Sequence, residues 1–176
     1  MNIFVAGVHG VGKTYLAQQL PVEFGLVHTS ASKLIKEERS MATWGTDKKV
    51  SDVDGNQLAL AAAVSRHNKA GVRLLLDGHF VLRDAGGQFV RLGADVFEAL
   101  NLDAVILLEA EPRIIAERIL SRDGREERIE ELQSFLDAER EQAKLVCEAL
   151  GIALTVAAGP TAADFAEMVS SAQRHG

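Results

Sequence analysis

Apolar positions along the chain follow two rhythms. Four short, apolar-rich runs, "NIFVA" (2–6), "VRLLLDG" (72–78), "LDAVILLEA" (102–110) and "IALTVAA" (152–158), have the length and composition of strands, and the second and third read as strands buried on both faces. A fifth, shorter run is "LVHT" (26–29). Between them the period lengthens to that of helices. One helix is predicted from Gly12 to about Leu20, before Pro21, and another over "KLIKEER", capped by Ser30 or Ser32. The polar stretch "TWGTDKKVSDVDG" reads as a loop, and Asp54 or Asn56 caps the alanine-rich "QLALAAAVSRHNKA", which closes at Gly71. "HFVLRDAGGQFV" alternates around Gly86-Gly87 and is read as a small hairpin or excursion. "ADVFEALN" is a short helix, and Pro112 opens the next, with Ile114, Ile115, Ile119 and Leu120 as its apolar stripe. Asp123-Gly124 interrupts that helix, a long one follows from about Glu126 to Leu150, and Thr161 caps the last.

Strands alternating with helices predict an α/β fold: a parallel sheet with helices on both faces. No internal repeat or linker divides the 176 residues, so a single domain over 1–176 is expected. Ligands on such sheets gather at the carboxyl ends of the strands. Composition adds limits. With 47% apolar and 25% charged residues the chain can build an ordinary core. A net charge of −6 argues against a broad nucleic-acid or acidic-membrane surface, so positive charge must be local. The lone Cys147 cannot form an internal disulfide; it suits a reducing compartment and reads as core filler. The apolar N-terminus is too short for a membrane span and lacks a basic leader, which leads to the expectation of a cytoplasmic protein.

The most informative stretch is "GVHGVGKT", residues 7–14, which satisfies G-x-x-x-x-G-K-[ST] and lies between a strand and a helix. Gly7, Gly10 and Gly12 let the main chain turn its N–H groups around an anion, with His9 and Val11 at the permissive positions between them. Lys13 supplies an ammonium for β and γ phosphates, and Thr14 a hydroxyl suited to Mg²⁺. A simple tight turn with a solvated lysine would need only the glycines. The full pattern in its strand–loop–helix setting favours phosphate binding.

Two further groupings fall at strand ends. Asp77, closing the third long strand, can hold Mg²⁺ through water, or Asp77-Gly78 can simply form a turn; the phosphate loop favours the first. His79 is either part of the network around the phosphates or a neutral, hydrogen-bonded histidine. In "ERILSRDGREER", Arg118 and Arg122 lie one helical turn apart, and Arg125 and Arg128 follow the Asp-Gly break. Such arginines either pair with Glu117, Glu126, Glu127, Glu130 and Glu131 on a solvated surface or close over a phosphoryl group as a lid. Their position astride a helix break favours the lid, with Arg140 able to reach back.

Taken in order, the phosphate loop, the "DGH" after the third strand, the segment "LGADVFEALNLDAVILLEAEPRIIAERIL" and the arginine-bearing break make the chain resemble the nucleoside monophosphate kinases. Within them it is most similar to the archaeal-type adenylate kinases and related small proteins. The resemblance implies a three-layer P-loop fold with strand order 2-3-1-4-5. It also implies an acceptor-binding region at about 30–70 and a lid at about 118–130. ATP as donor, Mg²⁺ and a nucleoside monophosphate acceptor follow from it, with Lys13, Asp77, Arg118, Arg122, Arg125 and Arg140 as catalytic candidates. On the acceptor side it implies Arg83 as a phosphate contact, with Ser30, Ser32, His79 and Gln57 as further candidates. "SASKLIKEERS" departs from the pattern, offering Lys33, Lys36 and a late Arg39 where many relatives carry an arginine. Trp44 can stack on a base or pack against the alanine-rich helix, and Lys48 and Lys49 read as a solvated pair or a substrate clasp. Some small relatives hydrolyse ATP slowly and act through a partner protein, so a kinase of another metabolite and an ATP-driven switch stand beside the nucleotide kinase.

Overall fold

β1 (Asn2–Ala6) is buried along its whole length and runs through the middle of the sheet. The computed structural model describes residues 2–41, 52–84 and 86–175. From β1 the chain passes through α1 (Lys13–Gln19), a single 3₁₀ turn (Val22–Phe24), β2 (Leu26–Ser30), α2 (Ala31–Ser40), α3 (Asp52–Lys69) and β3 (Arg73–Gly78). The antiparallel hairpin β4 (Val81–Arg83) and β5 (Phe89–Arg91) follows, then α4 (Ala94–Glu98) and β6 (Leu102–Glu109). α5 (Pro112–Asp123), α6 (Ile129–Leu150), β7 (Ala153–Ala158) and α7 (Ala162–His175) complete the chain.

The main sheet is wholly parallel, in the order β2-β3-β1-β6-β7. Counting only these five strands in chain order gives the predicted 2-3-1-4-5, with the hairpin standing apart as a two-stranded sheet. Register aligns Val5 and Ser30 with Asp77, which brings the ends of β1, β2 and β3 to one edge.

Alternation along each strand sorts the core into two layers. Ile3, Val5, Leu75, Ile106 and Leu108 pack with Leu16 of α1, Ile115 and Ile119 of α5, and Phe165 of α7. Phe4, Ala6, Leu74, Leu76 and Leu107 face the opposite way, toward Leu34 of α2, Leu60 and Val64 of α3, and Phe97 of α4. Within this layer Phe4, Phe80 and Phe97 form an aromatic cluster with ring centroids 4.4–5.4 Å apart. α6 serves both layers, with Leu132, Phe135 and Leu136 in the first and Ala143, Val146 and Cys147 in the second. Cys147 is therefore core filler, and burial pushes its thiol up to about 11.

Capping follows the sequence at three places. Ser30 accepts the Lys33 N–H, and Thr161 and Asp164 cap α7 reciprocally. Gly71 closes α3 with φ +75°.

Three details differ. α3 already includes Asp52, so positions 54 and 56, the predicted caps, lie inside the helix rather than at its start; the strong helix formers that follow carry the helix back across Gly55. α6 begins at Ile129 rather than Glu126, because Arg128 is extended and residues 124–128 form a coil. On α5 only Ile115 and Ile119 are buried, one turn apart, while Ile114 and Leu120 flank that line and are exposed. Trp44, Lys48 and Lys49 lie outside the described residues. Among the described residues no helix is long and apolar enough to cross a membrane.

Candidate functional site: the phosphate loop and its cleft

Between β1 and α1 the main chain takes positive φ three times, at Gly7 (+142°), Gly10 (+85°) and Gly12 (+113°). A side chain at Gly7 would bring its Cβ within 2.5 Å of the Leu108 carbonyl oxygen, and one at Gly10 within 2.9 Å of Ile119. The loop is thus pressed against β6 and α5, and glycine is the residue that fits. Lys13 folds back into this loop, donating from Nζ to the Gly7 carbonyl and, at 3.4 Å, to that of Val8. Burial lowers its pKa to about 8, opposed by the carboxylates of Asp77 and Glu139.

A cleft of about 900 Å³ opens over the loop. It brings together His9, Gly10, Val11, Gly12, Lys13 and Thr14 with Ser30, Ser32, Asp77, His79, Arg118 and Arg122, and the segment 159–162 that leads into α7 also lines it. Asp77 is buried at the end of β3, and its Oδ2 lies 2.8 Å from His28 Nε2 on the neighbouring strand. Arg118 donates to the Val11 carbonyl at 2.8 Å, tying α5 to the loop. Arg122 contacts His9 and pairs with Asp123 at 2.8 Å, and His9 lies 3.2 Å from the same carboxylate. These two partners hold the Asp123 carboxyl well below the ordinary range.

Other candidates stand elsewhere. Arg83 and Arg125 line an adjoining cavity of about 490 Å³ that shares His9 and His79 with the cleft. Arg140 places Nε and Nη2 on the buried Glu109 at the end of β6. Gln57 is half-buried on α3 and lines neither space. A shallower groove beside β7 and α7, about 680 Å³, is edged by Asp103, Asp164 and Glu167 and has no glycine-rich loop to receive an anion.

Two side chains at the site escaped the sequence reading. Glu139 of α6 is almost fully buried, and its two oxygens accept the N–H groups of Phe80 at 2.9 Å and Val81 at 2.7 Å. Burial raises its pKa to about 7, against the pull of those hydrogen bonds and Lys13. A carboxylate within the apolar line Leu132, Phe135, Leu136, Ala143 and Val146 is a readable signal of this buried role. His28 left no such signal, because its partner depends on the register of β2 against β3. His79 has a buried Nδ1 without a hydrogen-bond partner, 3.9 Å from Glu139. Burial and then Lys13 push its pKa down to about 3, so its imidazole is neutral at physiological pH.

The residues fit a nucleotide with Mg²⁺. The loop is a cradle that a Cβ at Gly7 or Gly10 would fill, Thr14 is exposed beside it, and Asp77 lines the same cleft. Among the described residues no group of three or more His, Cys, Asp or Glu could hold a metal. Mg²⁺ suits so sparse a donor set, since it keeps several waters and takes phosphate oxygens.

Comparison with known proteins agrees with this geometry. A Thermococcus gammatolerans protein named "Putative adenylate kinase" is 28% identical over 131 residues, which are 74% of this chain and 62% of that protein. The chain thus spans less than two thirds of that relative's length. Among solved structures, a sugar kinase from Janibacter sp. HTCC2649 superposes with a TM-score of 0.60 at 20% identity, covering 99% of this chain and 95% of the other. A gluconokinase from Sinorhizobium meliloti 1021 gives 0.56 at 16% identity, covering 98% and 91%. At such identities the likeness is one of fold. Residues 6–135, from the last residue of β1 into α6, match the family described as AAA domain, and to that family of P-loop proteins the chain belongs.

Proposed function

We propose that the protein is a kinase that moves the terminal phosphoryl group of ATP, with Mg²⁺, to a small acceptor, with a nucleoside monophosphate as the leading acceptor. The observation that carries this reading is the positive-φ loop filled by Lys13 and lining one cleft with Asp77. ATP with Mg²⁺ supplies the transferable phosphoryl group and neutralises part of its charge. The chain's own residues do the rest. Main-chain amides of the loop hold the anionic tail, and Lys13 exchanges its carbonyl partners for phosphate oxygens. Thr14 and Asp77 are the donors for the metal and its waters. Arg118 and Arg122 border the cleft where charge spreads during transfer, and the coil at 124–128 gives the lid its hinge. We take residues 1–176 as one catalytic unit, with the acceptor region at about 30–70 and the lid at about 118–130.

A second reading, a hydroxyl acceptor on a small metabolite, is favoured by one contact. Asp77, held by His28, is a fixed carboxylate at the cleft able to take a hydroxyl proton, a step that a phosphate acceptor does not need.

The test is acceptor-dependent ADP formation with Mg·ATP across a panel of nucleoside monophosphates, sugars and sugar acids. AMP is expected to stimulate it most. Lys13→Ala is expected to lower turnover by about 100-fold or more while circular dichroism stays unchanged. ADP formation that no acceptor alters would overturn the kinase reading and favour an ATP-driven switch.

A further inference from the structure

The cavity beside the phosphate cleft holds an arginine that is fixed in place yet poorly bonded. Arg83 of β4 lies with its guanidinium carbon 4.7 Å from the centre of the Phe135 ring and 5.7 Å from that of Phe89, and the two rings stack at 5.3 Å. Its polar contacts are long: 3.5 Å from Nη1 to Glu127 Oε2, and 3.3 Å from Nη2 to the Glu131 carbonyl. Its Nε is buried with no partner. The other Glu127 oxygen is taken by Arg125, so one carboxylate, itself almost buried, is shared between two guanidinium groups.

A guanidinium fork is best satisfied by two coplanar oxygens at about 2.7–2.9 Å. Glu127 gives Arg83 one oxygen at the outer limit of a hydrogen bond. Asp84, the other acid lining the cavity, accepts the N–H groups of Gly86 and Gln88 at 2.8 Å and is committed to the hairpin turn. Two features connect this cavity with transfer: His9 and His79 line both spaces, and Glu127 sits in the coil between α5 and α6.

We propose that Glu127 is an internal stand-in for the anionic group of the acceptor, occupying an Arg83–Arg125 subsite until a small oxyanion displaces it. The substrate class follows from the fork: a small acceptor bearing a phosphate or a carboxylate. Displacement releases Glu127 from Arg83 and lets the 124–128 coil reseat on the bound anion through Arg125, so acceptor binding and movement of this coil are one event. This inference rests on the kinase reading, since it assigns the acceptor side of that site.

The test keeps the two apart. The phosphate loop is first saturated with the Mg²⁺ complex of β,γ-methylene-ATP, and inorganic phosphate and acetate are then titrated separately. Affinity is read in every variant by isothermal titration calorimetry, and the Arg83 Nε–H resonance, assigned by its loss in Arg83→Lys, reports where the anion binds in the variants that keep Arg83. Glu127→Gln and Glu127→Ala are both expected to tighten at least one of the two anions by roughly fivefold, the upper end for a partly exposed ion pair. Arg83→Lys in the Glu127→Gln background is expected to abolish that gain. Tightening for phosphate alone assigns a phosphate monoester acceptor, and for acetate alone a carboxylate acceptor. Unchanged affinity for both anions in both Glu127 variants overturns the inference and leaves the kinase reading intact. Failure of the ATP analogue to bind would instead remove the kinase reading.

Discussion

The two walls of the cleft are built from different materials. On one side the phosphate loop is main chain, folded through three positive-φ glycines and pressed on the Leu108 carbonyl. On the other, Arg118 and Arg122 of α5 border the cleft with side-chain charge, Arg122 paired with Asp123, and the coil that follows continues the charge with Arg125 on Glu127 and the exposed Arg128 on Glu130 and Glu131. The first wall is closely packed, so a change in its backbone path meets neighbouring atoms. The second is held by ion pairs that water and salt weaken, so its partners are exchanged at lower cost. Glu139 sits where the two meet, reaching from the helix after the lid to the main chain beyond Asp77 and His79.

The contrast is broken most severely by Gly7→Ala. The added methyl meets a carbonyl oxygen in a conformation unfavourable to L-residues. Backbone strain and overpacking together are expected to cost about 2–6 kcal/mol. Chemical denaturation reads the loss, and nucleotide uptake should vanish with it; a variant of wild-type stability would show the loop to be pliable.

Glu139→Gln probes the junction. A carboxyl whose folded pKa is raised from 4.5 to about 7 binds more protons folded than unfolded between those values. Its contribution to stability is therefore present below about pH 4.5 and is lost as pH rises through 7. Wild-type stability measured against Glu139→Gln should fall over that window by up to about 3 kcal/mol. Lys13 adds nothing there, since it titrates near 8 and above. His79, with its lowered pKa, acts in the opposite sense as pH drops below its usual range, so the difference between the two proteins is the quantity to follow. A flat difference from pH 4.5 to 7 would mean that Glu139 is ionised throughout.

The smallest effect is expected on the lid. Arg128 is largely exposed, with ion pairs at 3.4 and 4.0 Å. Arg128→Ala should change the unfolding free energy by no more than about 0.5 kcal/mol. A loss above about 1 kcal/mol in the same denaturant titration would place structural weight on the charge cluster and erase the distinction between the walls.

Much of the site could be read before folding because it is contiguous. Residues 7–14 are eight neighbours whose φ angles, amides and lysine act together, so their order alone specifies the nest. The strand rhythm likewise carried the sheet and its two-layer core, since alternation within one strand decides which side chain faces which layer. The arginine cluster was visible, but its division was not: Arg118 and Arg122 border the cleft, Arg125 joins the second cavity, and Arg140 pairs with Glu109.

By itself, then, the sequence determined the glycine-rich strand–loop–helix, the helices on both faces, and Asp77 at a strand end beside it. Only the tertiary structure decided that Asp77 leans on His28, that Glu139 holds the Phe80 and Val81 amides, and that Glu127 lies between Arg83 and Arg125. The pairs Asp77–His28, Glu139–Phe80 and Glu127–Arg83 span 49, 59 and 44 residues. The physical reason is range. Backbone propensity acts between neighbours, whereas a hydrogen bond or ion pair is chosen by strand register and helix packing, and these exist only once the core has closed.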